Sequence, residues 1–571
     1  MLALLWMAFP AISAAAPSQP EASLKSMSLA ELGNIEVTST SKQPEQVWKT
    51  PAAVYVLTSE DIHRSGATSI PEALRLVPGV QVSRIDEDHW AIGIRGFADQ
   101  FSKSMLVLVD GRSLYTPLFA GVYWALQDGV MLEDVDRIEV IRGPGGTIWG
   151  ANAVNGVINI ITKSAKETHG VHSSVGGGNV DQGIGAARFG AGYGQNFDYR
   201  IYGKGFVRGP GYHPDNAAFD SWRSLQGGFR SDWQIKGRDQ FTIQGDMYKG
   251  GVGQRVGWGS FNPPEQVISD KLVEVSGGNL LGHWRRQLGE GSDLQVQFYY
   301  DRTFADAPHY QETRNTFDLD FVHHLTLPRQ NFLWGAGARF SPSDFVQTVP
   351  TLNFTPHHID NNVYSGFIQD EFAIVPNRFS ITLGSKLGHN NYTGFEFQPS
   401  IRGLWAITPR QSLWAAVTRA VRAPSRIEED FQLTDFLLAV PPIYLAIDGN
   451  RNLSSERLLG YEAGYRALLT PTLYLDFAAF HNDYNDLVDL GAQTLTLDLA
   501  PIPHFTVHFP WANGIAGNTD GFEIAPDWKP SRWWQMKAAY SYINLDLHNK
   551  AGNLDAGSVS TDEGSSPHNQ V

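Results

Sequence analysis

The sequence predicts a compact N-terminal α/β domain followed by a very large antiparallel transmembrane β-barrel, and three observations lead there. Two strand-like apolar runs, Val135-Asp136-Arg137-Ile138-Glu139-Val140-Ile141-Arg142 and Gly156-Val157-Ile158-Asn159-Ile160-Ile161-Thr162, are joined by a glycine-rich loop that begins Gly143-Pro144-Gly145-Gly146. From about Gly170 onward, apolar and polar residues alternate with period two for roughly four hundred residues. After the N-terminus no run of about eighteen apolar residues occurs, which excludes membrane-spanning helices. A barrel escapes that test, because its lipid-facing residues are interleaved with polar ones.

Composition agrees. Among 571 residues, aromatics reach 12%, with 57 Gly and 16 Trp, a profile of many strands, many turns and one polar face. The absence of cysteine removes disulfides, thiol catalysis and thiolate metal sites from consideration. A net charge of -15 argues against nucleic acid, whose phosphates require a basic footprint.

Residues 1–16 read as a secretory signal, with Leu2-Ala3-Leu4-Leu5-Trp6-Met7-Ala8-Phe9 as apolar core and Ala14-Ala15-Ala16 as cleavage site. The usual basic start is lacking, so the signal is expected to be truncated. Residues 17–50 are weakly patterned and suit a flexible segment, apart from the β-branched stretch Ile35-Glu36-Val37-Thr38-Ser39-Thr40. Within residues 51–165, Val54-Tyr55-Val56-Leu57 is a strand and Thr58-Ser59-Glu60-Asp61-Ile62 carries the cap-then-acidic pattern of a helix start. Pro71 just inside a second helix and Pro78-Gly79 just beyond it mark that helix's ends. Short strands are expected at 79–83, 91–95, 105–109 and 138–141.

In residues 166–571, Phe241, Ile243 and Met247 alternate with Thr242, Gln244 and Asp246. Leu294, Val296, Phe298 and Tyr300 alternate with Gln295 and Gln297, and Leu473, Leu475 and Phe477 with Tyr474 and Asp476. One face meets lipid and the other water or protein. The pattern yields roughly seventeen strands of about ten or more residues, with short turns at one rim and long loops at the other. No blade-length repeat supports a propeller.

Taken with their order, several motifs resemble the TonB-dependent outer-membrane receptors: Ile94-Arg95-Gly96-Phe97, Val109-Asp110-Gly111-Arg112, Ile141-Arg142-Gly143-Pro144, Tyr461-Glu462-Ala463-Gly464 and Thr519-Asp520-Gly521-Phe522-Glu523-Ile524. The resemblance implies a plug domain inside a barrel of the type with about twenty-two strands. The chain is therefore expected to lack about five C-terminal strands, since an open barrel leaves unpaired edges in hydrocarbon. It further implies that Arg95 and Arg142 lock the plug against Glu462 and Glu523. Ile35, Glu36, Val37, Thr38, Ser39 and Thr40 would be the TonB box, pairing with a strand of TonB, which works with ExbB and ExbD. Outward plug loops would present His89, Trp90, Phe101, Tyr115, Phe119, Tyr123 and Trp124 to an organic ligand. The expected function is active uptake of a scarce chelated nutrient across the outer membrane by a monomer. A ferric siderophore leads, followed by cobalamin, haem or an oligosaccharide. A passive porin and a surface adhesin or phage receptor are the alternatives from other classes.

Nothing points to an enzyme or a cofactor. The glycine-rich loop lacks Gly-Lys-Ser/Thr and does not open a GxGxxG βαβ unit. His323-His324 and His357-His358 are adjacent on strands and face opposite ways, so neither pair is expected to hold a metal. Gly-x-Ser-x-Gly and His-Glu-x-x-His are absent.

Overall fold

The computed structural model describes residues 35–571 except 128, 129, 532, 554 and 556, so the expected signal and most of the segment before Ile35 lie outside the described residues. Residues 51–165 form a five-stranded sheet in the order Val54–Thr58, Val135–Arg142, Gly156–Thr162, Met105–Val109, Arg112–Ser113. Only the Met105–Val109 and Gly156–Thr162 pair is parallel. The strand Met105–Val109 is buried throughout, as a central strand covered on both faces must be. Thr58 caps the helix Ser59–Ser65 through a full capping box with Asp61, and Gly66 ends it at φ 72°. A separate hairpin pairs Val80–Arg84 with Trp90–Ile94.

From Gly170 onward the chain builds one wall of 23 hydrogen-bonded strands in order, antiparallel apart from the parallel pairing of Pro442–Asp448 with His504–Ser531. Besides the seven-residue first strand Gly170–Gly176, six of these are short pieces: Leu352–Phe354, Phe431–Ala439, Pro442–Asp448, Thr494–Asp498, Trp534–Lys537 and Asn569–Gln570. Direct pairings such as Gln330–Gln347 with His358–Val375, and Gln411–Arg422 with Glu456–Thr470, bypass most of them and leave the long strands that the period-two pattern predicts. Among the described residues, no ladder joins the first strand, Gly170–Gly176, to the last. Where a further long strand is expected after Asn549, the chain forms the helix Ser558–Gly564 and a two-residue strand on Ser541 and Tyr542.

The α/β domain fills the barrel as a plug. Its side chains or backbone bond to wall residues around the lumen, including Lys204, Gln244, Asp301, Gln398, Glu462 and Glu523. Alternation sets the two faces: Gln244 reaches Asp110 of the plug, whereas Ile243 and Met247 are exposed on the outside.

Candidate functional site

The structure brings Arg95, Arg142, Glu462 and Glu523 together. Arg95 donates to Glu462 Oε1 (2.6 Å) and to both oxygens of Glu523 (3.0 and 3.3 Å). Arg142 lies 3.0 Å from the second oxygen of Glu523 and 3.5 Å from Asp476. Asp476 also faces Arg466 at 3.3 Å, so three guanidiniums oppose three carboxylates, all nearly or fully buried. Such a balanced network avoids the cost of an unpaired buried charge, and forked geometry holds it in one arrangement. Two glycines make room. A Cβ at Gly79 would stand 2.4 Å from Glu523 Oε1, and one at Gly143 would stand 2.3 Å from Glu462 Oε1, both at positive φ. Arg95 itself sits at φ 54°, a strained position for a side-chain residue that the surrounding ion pairs hold in place.

Asp476 and Arg466 are members of this network that sequence reading missed. Both are inward polar positions of ordinary alternation, and only the strand pairing of Arg466 with Asp476 would have signalled them. Arg112 on Asp301 (2.7 Å) and Arg422 between Glu428 and Glu456 were likewise not singled out as ion pairs.

Residues 35–50 dock against the plug and the wall. Glu36–Val37 pairs with Glu45–Gln46, and the Val37 side chain is buried with Val47, Val54 and Leu106. One oxygen of the buried Glu139 accepts from Thr38 N (2.9 Å), Ser39 N (2.8 Å) and Ser39 Oγ (2.6 Å), while Arg137 holds the other oxygen (2.9 Å). Lys42 reaches Asp320 on the wall at 2.8 Å, and Gln43 contacts Asp293. Downstream, Arg466 donates to the carbonyls of Val47 (2.9 Å), Thr50 (2.6 Å) and Ala52. Glu45 is half-buried beside a cavity of about 310 Å³ at this rim. Burial and the nearby Glu371 carboxylate push its carboxyl up to about 8, against weaker pull from Thr40, Arg402 and Arg466.

The predicted ligand-facing residues divide. Trp90 is fully buried, packs on Trp222 at 5.8 Å and donates to Glu72 (2.7 Å), so it belongs to the shared core. Tyr123 and Trp124 are also buried in that core. Phe101 and Phe119 are half-buried and stacked at 4.8 Å, and Tyr115 lines a cavity between plug and wall. His89 joins a cluster that the sequence did not reveal. Its Nδ1 lies 2.8 Å from Asp86 and 2.5 Å from Asp88, and Nε2 meets the Tyr123 hydroxyl, which Gln254 also approaches. The ligand atoms of Asp86, Asp88 and His89 fall within 4.8 Å of one another, the spacing of a cation site. Burial alone would lower the His89 pKa, but the hydrogen bonds it donates to Asp86 and Asp88 outweigh it and push the imidazole up to about 9. Desolvation pushes Asp88 up to about 7. The paired histidines find separate partners: His323 with Trp334, His324 with Asp293, His357 with Asn353 and His358 with Asp344.

A seated plug, a polar lumen and an apolar exterior define an outer-membrane receptor, and the comparisons give its family. Residues 46–157 match the TonB-dependent receptor plug domain and residues 168–570 the TonB-dependent receptor-like β-barrel, so the chain belongs to the TonB-dependent receptors of the outer membrane. It is 25% identical over 491 residues to the iron-regulated outer membrane virulence protein of Vibrio cholerae, covering 79% of this chain and 69% of that one. It is 35% identical over 133 residues to the vitamin B12 transporter of Vibrio vulnificus, covering 23% and 21%. A crystal structure of the ferric enterobactin receptor of Pseudomonas aeruginosa superposes with a TM-score of 0.70 at 18% identity, over 86% of this chain and 80% of that one.

Proposed function

We propose that this receptor takes up a ferric siderophore by energy-coupled transport, with residues 35–40 as the strand that TonB grasps. The observation that carries the reading is mechanical. At the rim of short turns, those residues form a two-residue strand held by apolar packing of Val37 and by hydrogen bonds to Glu139, Trp149 and Asn159, while the rest of the plug is clamped by a network of three arginines. A partner strand that adds to residues 35–40 pulls on a segment that lies outside the arginine network. Energy arrives from the inner-membrane proton gradient through TonB, ExbB and ExbD. The half-buried Phe101, Tyr115 and Phe119 present the outer contact surface, and the iron arrives already chelated.

Support for siderophore cargo comes from two sequence relatives, the iron-regulated outer membrane virulence protein and a ferric enterobactin receptor, at 25% and 24% identity. Cobalamin is the second reading, favoured by the similarity to a vitamin B12 transporter. Radiolabelled ferric enterobactin and radiolabelled cobalamin, offered to cells that carry this protein as their sole receptor, test both. Accumulation that collapses with an uncoupler and in Val37→Pro is expected for one of the two probes. Accumulation unchanged by uncoupler and by deletion of residues 17–45 would establish a passive porin instead.

A further inference from the structure

The plug hairpin of Val80–Arg84 and Trp90–Ile94 carries its connecting loop, residues 85–89, to the long-loop end of the wall. There Asp220, in the wall loop 209–221, accepts from the backbone N–H groups of Glu87 (3.0 Å) and Gly211 (3.1 Å), which fixes where the plug loop sits. Asp86, Asp88 and His89 converge within it, each with a ligand atom inside 4.8 Å of the others. Asp86 Oδ1 accepts from the backbone N–H groups of Asp88 (3.0 Å) and His89 (2.8 Å), and its Oδ2 turns to His89 Nδ1 at 2.9 Å.

Charge in this loop does not balance. Two carboxylates face a single imidazole, and among the described residues no lysine or arginine lies within ion-pair distance of Asp86 or Asp88. The nearby Arg84 pairs with Glu87 instead. Asp88 is wholly buried; its Oδ1 lies 2.5 Å from His89 Nδ1, but its Oδ2 receives no hydrogen bond. A buried carboxylate oxygen without a donor is costly, and a coordinated cation removes that cost. His89 is set for the same role. Its Nε2 meets the Tyr123 hydroxyl, which accepts the Nε2 proton and leaves the Nδ1 lone pair directed at the two carboxylates. A ligating histidine ordinarily donates its second ring N–H in this way. The side chains of Asp86 and His89 keep 15% and 12% exposure, so an ion reaches the site from the water side.

We propose that Asp86, Asp88 and His89 form a binding site for a divalent transition-metal ion of the zinc type, with Tyr123 and Gln254 as its outer support. One imidazole nitrogen among carboxylate oxygens suits such ions, whereas calcium and magnesium favour oxygen alone. Zinc stands roughly 2.0–2.2 Å from these donors, so tetrahedral geometry separates Nδ1 and the two carboxylates by less than about 1 Å beyond their present spacing. Three protein ligands leave a fourth position for water. The bound ion also restrains Tyr123, whose ring lies 6.4 Å from Phe101 and 6.5 Å from Phe119.

Equilibrium dialysis of the full chain in detergent, stripped with chelator and offered Zn²⁺ or Ca²⁺, tests the site. The parent is expected to bind Zn²⁺ at least about tenfold more tightly than Asp88→Asn or His89→Gln, and Tyr123→Phe to fall about tenfold below the parent through loss of the outer support. Zinc held weakly by other histidines is common to the parent and Asp88→Asn and cancels in their difference. Asp88→Asn keeps the shape and removes a buried charge, so it should retain the fold, which hydrogen exchange of the hairpin amides 80–94 checks without metal. X-ray absorption at the zinc edge should show one imidazole with oxygen neighbours at roughly 2.0–2.2 Å, and Zn²⁺ should slow exchange of amides 86–89 in the parent alone. Equal Zn²⁺ affinity in the parent and Asp88→Asn, two or more imidazoles in the spectrum, unaltered exchange, or tighter binding of Ca²⁺ than of Zn²⁺ overturns the proposal. None of these readouts depends on uptake, so failure of the siderophore reading would leave them unchanged.

Discussion

On one side of the plug, Arg95, Arg142 and Arg466 interlock with Glu462, Glu523 and Asp476; four of these six charges have two charged partners, and all are shielded from water. At the rim, Thr38 and Ser39 donate to one carboxylate, Ser39 also accepts from Trp149 and Asn159, and Lys42 reaches one aspartate beside an open cavity. The first arrangement cannot lose one member without stranding a buried charge. The second detaches in small steps, since each bond exchanges for a bond to water. One fold thus holds a fixed part and a detachable part, and the difference lies in how many partners each charge has.

The sharpest way to break the comparison is to remove one arm of the fixed part. Arg95→Ala strands Glu462 and Glu523 and is expected to cost about 3–5 kcal/mol of plug seating, seen as lost hydrogen-exchange protection across the strands Val135–Arg142 and Gly156–Thr162. Arg95→Lys keeps the charge but not the fork and should fall between that variant and the parent. If Arg95→Ala leaves protection unchanged, the network is not what seats the plug.

At the detachable part, Glu139→Gln weakens bonds to a charged acceptor by about 1.5–3 kcal/mol. Amides 36–43 should then exchange about ten- to a hundredfold faster, with the plug core unaffected. A loss of core protection equal to that at the rim would erase the distinction between the two parts.

Acidity offers a finer test. The docked pKa of Glu45 lies above that of a free glutamate, so the docked segment binds more protons than the released one between pH 4.5 and about 8. Docking is therefore fully stabilised by this group below about pH 4.5 and weakens as the pH rises toward 8. The groups that face Glu45 are Glu371, Arg402, Arg466 and Thr40. Exchange of amides 36–43 should accelerate from pH 5 to 8 beyond the intrinsic chemical rate, and Glu45→Gln should flatten the trend. The smallest effect is expected at His357 and His358, whose partners lie at the exposed loop end of the wall. Alanine at either should leave ligand uptake within error of the parent.

Much of this was legible in the chain, for identifiable reasons. Arg95, Arg142, Glu462 and Glu523 each sit in a motif, and their four motifs suffice to nominate the cluster. Asp476 and Arg466 carry no such mark, because an inward polar residue on a barrel strand looks the same whether it meets water or an ion. Trp90 reads as part of an outward loop, yet it opens the strand Trp90–Ile94 and turns inward against Trp222, a contact between residues 132 positions apart that no local pattern encodes. Asp86, Asp88 and His89 stand in a loop without periodicity, so nothing in their spacing fixes where the side chains point. The stretch from Ile35 to Thr50 has the composition of a flexible segment, and its docking depends on Glu139 and Arg466, about a hundred and about four hundred residues away.

The sequence by itself determined which residues face lipid and which face the lumen, because a strand's period of two assigns every side chain to one side of the wall. It also determined the α/β character of the plug, through caps, proline and glycine at helix ends and the apolar strands. Only the tertiary structure decided which inward charges meet, how firmly each portion of the plug is held and where a gap remains beside it. Those outcomes depend on the register of strands far apart in the chain and on the fit of two curved surfaces, and neither is set by neighbours in sequence.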